Sequence, residues 1–187
     1  SFTNLSRFLE LVPLVLSRLL NVDSVIVIPF DDKGKISKEL IQFFPYDKYE
    51  TLRIELFKFS LKYTLQFDNQ KEYLHSLDSL IQKYFRGHNL FSTSIVSRGR
   101  QRGRIYVFHK NVVSPWSDIH SRNLQIIADL AAVAIENDIF LQQLRTHESV
   151  DRQLTIGADI QAQLLPDHCP LIEGVQLAAR CCPAFQL

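Results

Sequence analysis

The stretch "RGRIYVFHKNVVSPWSDIHSRNLQIIADLAAVAIEN" (Arg102–Asn137) decides the fold. Its first part is rich in β-branched and aromatic residues and reads as a strand. It is the return half of a hairpin that begins at "LFSTSIVS", with a turn expected around Gly99 to Gln101. Past Trp116, Ser117 or Asp118 can cap a helix. Apolar positions then include Ile119, Leu124, Ile127, Leu130, Ala131, Ala134, Phe140 and Leu141, and no glycine or proline interrupts before Gly157. Arg98, Arg100, Arg102 and Arg104 ring the hairpin turn. Arginine–glycine runs can bind RNA, but the chain's other basic residues are scattered among acids. A solvated tip that discourages edge pairing is the preferred reading.

Upstream, "FTNLSRFLELVPLVLSRLLNV" spaces Leu5, Phe8, Leu9, Val12, Leu16, Leu19 and Leu20 along one helical face, with a kink or restart expected at Pro13. "DSVIVIPF" reads as a buried strand, "DDKGK" as a turn around Gly34, and "ELIQFFP" as the strand completing that hairpin. The segment "TLRIELFKFSLKYTLQF" carries two patterns. Phe57, Phe59, Leu61, Tyr63, Leu65 and Phe67 alternate as in a strand, whereas Leu52, Leu56, Phe59 and Tyr63 make a helical stripe. Periodicity leans towards a strand. "EYLHSLDSLIQKYF" follows as a helix with Leu74, Leu77, Leu80, Ile81 and Phe85.

The 187 residues suggest one full domain and part of another. A hydrophobic share of 46% against 22% charged is ordinary globular usage. The net charge of +1 offers no global field for nucleic acid or an anionic membrane. No apolar run approaches the ~18 residues of a bilayer span, and the N-terminal residues lack the basic and small-residue features of a signal peptide. Cys169, Cys181 and Cys182 are confined to the tail and make no disulfide framework. A cytoplasmic protein is expected, with neither nucleic acid nor membrane as partner.

The order helix, hairpin, helical region, hairpin, long helix resembles a GAF domain, a relative of PAS, over roughly residues 1–142. The carrying residues are Gly103 entering the last strand, the turn at Trp116, Ser117 and Asp118, and "AIEN" with Ala132, Ala134, Ile135, Glu136 and Asn137. The resemblance implies an α+β fold: a six-stranded or similar antiparallel sheet flanked by helices, with a pocket on one face. It also implies a helix around 50–63 and a short strand at "LQFDN", against the periodicity. The ligand stays unknown. No cysteine lies in this region to hold a bilin, and the signature of cyclic-nucleotide-binding members is missing. His75 and His88 fall where pocket walls are expected. A haem ligand is weighed there, but a lone histidine is more commonly a surface or hydrogen-bonded residue.

From Ser117 to Leu165 the chain can form one helix of about 48 residues, roughly 70 Å long. Leu141, Leu144, Val150 and Leu154 make a thin apolar seam with polar breaks at His147 and Asp151. A short parallel coiled coil, and hence a homodimer, is preferred to a solvated linker. The segment "RQLTIGADIQAQLLPDHCPLIEGVQLAARCCPAF" in turn resembles the opening of bacterial PPM-type protein serine/threonine phosphatases of the RsbU/SpoIIE class. The matching positions include Leu154, Ile156, Ile160, Gln161, Leu164, Leu165, Pro166, Pro170, Gly174, Pro183 and Ala184; Gly157 departs from the usual alanine. Residues 143–166 are thus expected to be linker and switch segment, and 167–187 an incomplete start of the phosphatase domain.

In that family an aspartate in a Gly-Gly-Asp-Tyr segment binds the catalytic metals, Mn2+ or Mg2+. No such segment occurs in this sequence, and its tail offers only Asp167 and Glu173. No catalytic residue and no cofactor is therefore expected here. His168 and the tail cysteines lack the spacing of a zinc site. The expected role is that of a sensor and dimerisation segment, transmitting to a phosphatase that acts on a phosphorylated anti-sigma-factor antagonist or similar protein. The alternative is a GAF-like module that only dimerises and senses nothing.

Overall fold

Residues 4–63, 69–110 and 116–164 are described by the computed structural model, with backbone alone at 47, 147–154 and 156–164. The chain divides into two compact units, Ser1–Phe140 and Leu141–Leu187. The first holds an antiparallel sheet of β1 (Ser24–Pro29), β2 (Gln42–Phe44), β3 (Asn89–Ser97) and β4 (Arg100–His109), in the order β2-β1-β4-β3. Its helices are α1 (Asn4–Leu19), α2 (Glu50–Lys62), α3 (Gln70–Tyr84) and the first part of α4 (Asp118–Leu164). The α+β class with a long C-terminal helix is as expected. The sheet has four strands among the described residues, fewer than the six anticipated, and most of "LQFDN" lies outside them.

Side-chain alternation sorts the sheet into two cores. Val25, Val27, Ile105 and Val107 face α1 and α4, where Leu9, Leu16, Leu124, Ala128 and Ile135 meet them. Ile26, Ile28, Tyr106 and Phe108 face α2 and α3, among Leu52, Leu56, Leu77 and Ile81. A strand buried on both faces has no polar side, so β1 reads as an unbroken apolar run.

The structure settles residues 50–62 of the ambiguous segment as a helix, as the resemblance implied and against the periodicity; residues 64–67 lie outside the described residues. Leu52, Leu56 and Phe59 of α2 are buried, whereas Phe57 and Leu61 are solvent-exposed. The apparent alternation came from mixing an inner stripe with outer aromatics. Phe57 is partly covered by the Lys38 ammonium, 3.6 Å above its ring.

Three local expectations also need correction. The hairpin turn is the two-residue Arg98–Gly99, earlier than expected, and both residues have positive φ (50° and 73°). That pairing of signs is what a type I′ turn requires to match strand twist. The second strand of the first hairpin shortens to Gln42–Phe44, because Lys38–Leu40 forms a 3-10 turn instead. Finally, α1 is one continuous helix through Pro13, so of the kink or restart expected there the restart is ruled out.

Between Ile95 and Val96 the β3–β4 register slips: Ile95 pairs with Gly103 and Val96 with Gln101, leaving Arg102 as the extra residue of a bulge. The buried Gln101 amide braces it, donating to the Gly103 carbonyl at 2.7 Å. Strict alternation would send Arg102 and Arg104 to the same face. With the bulge, Arg102 reaches α4 and Arg104 reaches α3.

Candidate functional site

The resemblance implied a pocket on one face of the sheet, with His75 and His88 at its walls, and α2 and α3 cover the face nearest them. Aromatic side chains fill it. Phe85 stacks on Phe108 with centroids 3.5 Å apart, and Tyr73 meets Phe30 and Phe59 edge-on. A polar cluster closes the same face: Arg104 forks onto both Asp78 oxygens at 3.0 and 2.8 Å, and the Tyr106 hydroxyl donates to Asp78 at 2.6 Å. Burial, reinforced by the Asp78 charge, pushes the Tyr106 phenol well above its ordinary range. Arg104 also donates to the hydroxyls of Ser94 and Ser92. The cluster is internally satisfied, so it ties α3 to β3 and β4.

Of the two histidines expected at pocket walls, His75 is exposed on α3. Two residues along a helix from the inward Tyr73 is 200° of rotation, which turns His75 away from the sheet. His88 does line a small cavity, at the end of the sheet where α3 leaves it.

The other face leads to α4. Trp116 stacks on Phe91 of β3 with centroids 3.9 Å apart, and its indole N–H donates to Ser121. The Ser117 N–H donates to His120 Nδ1, so the third residue of the helix reaches back to the cap as in a capping box. Leu124, Ala128, Ala131, Ala132 and Ile135 seat α4 on the sheet. Glu136 receives Arg102 through two bonds, Nε–Oε2 at 2.8 Å and a second at 3.2 Å, with the Arg102 side chain only 4% exposed. The arginine run therefore splits: Arg98 and Arg100 are exposed, while Arg102 and Arg104 serve internal ion pairs and are not part of a solvated tip.

On the outward side of α4, Ile119, Ile126, Leu130, Val133 and Phe140 are each at least half exposed. With Asn123 and Asn137 between them they follow alternating steps of four and three, the heptad spacing of a coiled-coil seam. Exposed apolar residues also line α1, at Leu11, Leu14, Val15 and Leu19.

In the second unit, Leu141 and Leu144 are exposed at 50% and 44%. Leu144 and, by sequence position, Leu154 continue the four-three spacing; Leu141 and Val150 lie one position beside it. Val150, Leu154, Ile156, Ile160, Gln161 and Leu164 belong to the helical backbone of α4, which also runs through Gly157. Their side chains, and all of Leu165, Pro166 and the tail, lie outside the described residues. The outer seam within 119–140 escapes the sequence reading, which takes Ile119, Leu130 and Phe140 together with Leu124 and Ala131 as one helical pattern. The spacing itself was there to find.

No protein-family model and no curated protein matches the sequence. Among solved structures, the chain is similar to the GAF domain/HD domain protein of Geobacter sulfurreducens. That match has 13% identity and a TM-score of 0.52, covering 73% of this chain and 95% of that one. It is also similar to the GAF domain of PixJ from Thermosynechococcus elongatus in its blue-light absorbing form, at 15% identity and a TM-score of 0.45, covering 77% and 92%. At such identities the first likeness shows the fold: an α+β domain of the GAF type.

Proposed function

We propose that this chain is a regulatory, dimerising part of a signal-transduction protein. In this reading the GAF-type domain biases α4, and α4 hands the change to a segment beginning near Leu154. The observation that carries it is the outer face of α4. Five large apolar side chains at heptad spacing stand exposed where a solvated helix would place charges. A second copy of this chain is the occupant that satisfies them, because a self-complementary seam closes a two-fold pair. Burying each such side chain in full is worth about 1.5–3 kcal/mol before the cost of association.

The output we propose is a PPM-type phosphatase, with a phosphorylated anti-sigma-factor antagonist-like protein as substrate and Mn2+ or Mg2+ as metal. Support comes from the sequence alone, in the run from Leu154 to Ala184. The sequence holds no Gly-Gly-Asp-Tyr run, and from Asp167 on it offers only Asp167 and Glu173 as carboxylates. This chain with manganese and a phosphoserine peptide is therefore expected to give no turnover above buffer, and turnover that follows the purified protein would sink the division of labour. A second reading, dimerisation without sensing, is favoured by one observation: the aromatic side chains that fill the α2/α3 face.

Sedimentation tests the seam. The wild-type chain should be a dimer at tens of micromolar (about −6 kcal/mol or stronger). The Leu130→Asp, Val133→Asp variant should be a folded monomer. A monomeric wild type overturns the proposal.

A further inference from the structure

A cavity of about 110 Å3 opens at the end of the sheet where β1 starts, β4 ends and α3 finishes. Its inner wall is the stacked pair Phe85 and Phe108. Around that wall stand Lys48, Lys110 and His88, together with Ser24 and Tyr49, whose hydroxyls bond each other. Two hydroxyls sharing one bond leave one O–H free to donate elsewhere. The Nδ1 of His88 is buried and has no hydrogen-bond partner among the described residues, although its ring meets Phe85 edge-on. A buried polar nitrogen without a partner is uncommon in a folded protein, and this one belongs to a side chain that lines the cavity.

We infer that this cavity binds a small oxyanion, the phosphate or carboxylate group of a compact molecule. Two ammonium groups, a spare hydroxyl and the N–H of the His88 imidazole can all donate hydrogen bonds, the set an oxyanion accepts. One carboxylate, Asp23, also lines the site. It is already engaged: its Oδ2 accepts the Lys110 backbone N–H at 2.7 Å and lies 3.1 Å from His109 Nδ1. A metal ion does not fit, because a lysine ammonium has no lone pair and Asp23 is the single carboxylate in the lining. A nucleotide does not fit either, since pockets for drug-sized ligands run from about 300 Å3 upward.

The inference stands apart from the dimer seam. The cavity is lined by β1, β4, α3 and the Lys48–Tyr49 turn, and by no residue of α1 or α4. Calorimetric titration of the full 187-residue chain at fixed ionic strength, with inorganic phosphate in one arm and acetate in the other, tests it. At least one ion should bind saturably at one site per chain, and the arm that does names the head group. Replacing Lys48 and Lys110 together by methionine should weaken that binding at least about tenfold (roughly 1.4 kcal/mol). His88→Leu should do the same, with circular dichroism and Trp116 fluorescence unchanged. The lysines are exposed, so their variant remains a test if His88→Leu misfolds. Failure of both ions to saturate, or wild-type affinity in the lysine variant, overturns the site. Sedimentation, run alongside, judges the dimer separately.

Discussion

Gly103 lies opposite Pro29 in the β1–β4 ladder, and a Cβ built there would stand 2.6 Å from the Ile28 carbonyl oxygen and 3.1 Å from the Pro29 Cα. Backbone cannot yield as a flexible side chain can, so Gly103→Ala must push β1 from β4 or flatten the bulge. The expected loss is about 1–3 kcal/mol, read from the denaturant midpoint with an unchanged slope. Tyr73 poses the opposite case. Its hydroxyl is buried without a partner among the described residues, and burial, with the Asp31 charge second, pushes its phenol far above the ordinary value of 10.0. The folded chain thus keeps this proton where the unfolded chain gives it up. Its contribution to stability is complete below about pH 10 and is lost as pH rises through the folded value. Tyr106 acts in the same direction. Tyr73→Phe should therefore flatten the alkaline fall in stability and, by deleting an unpaired hydroxyl, gain about 1 kcal/mol at pH 7. Urea titrations at pH 7 and pH 11 check both signs; a destabilised variant at pH 7 would show that the hydroxyl has a partner.

At the scale of elements, the bulge in β4 decides what each arginine does. Arg102 is nearly inaccessible while Glu136 keeps 22% exposure, so the two halves of the pair are unequal. Glu136→Ala strands a buried cation and should cost about 3–5 kcal/mol. Replacing both, Arg102→Met with Glu136→Leu, should recover most of that loss, and a thermal-denaturation cycle measures the coupling. The sequence made the strands and the closing helix legible, because an apolar run such as "VIVI" and a long pattern free of glycine and proline each have one simple reading. It left the bulge unread. Alternation assumes an uninterrupted pleat, and only a glycine inside a strand hints otherwise. Periodicity alone misreads 50–62 as well, where exposed Phe57 and Leu61 carry the period of a strand; there the resemblance to GAF domains pointed to the helix. The small cavity was legible only at His88, since its lysines and hydroxyls come from three separated parts of the chain.

For the whole molecule, the decisive question is how two copies would meet. If the outer seam of α4 pairs in parallel and in register, each residue on it faces its own copy across the two-fold axis. Asn137 lies on that seam, between Val133 and Phe140, and is exposed. Asn123 lies on the same seam, and in a parallel, in-register pair each of the two asparagines meets its own equivalent, a contact that favours this register. Asn137→Cys, in a chain with Cys169, Cys181 and Cys182 changed to serine, should then oxidise to a disulfide-linked dimer. The geometry is permissive only when the two Cα atoms approach within about 7 Å. Gln125→Cys is the control, because Gln125 turns towards its own sheet and accepts a hydrogen bond from Thr93. Non-reducing electrophoresis should show a fast, near-complete dimer for position 137 and monomer for position 125. An antiparallel pair would separate the two copies of residue 137 unless the axis passed through it. Cross-linking at Leu130→Cys as well as at Asn137→Cys therefore fixes the parallel arrangement, since an antiparallel axis cannot pass through both. Failure at both positions would leave α4 without the coupling role assigned to it.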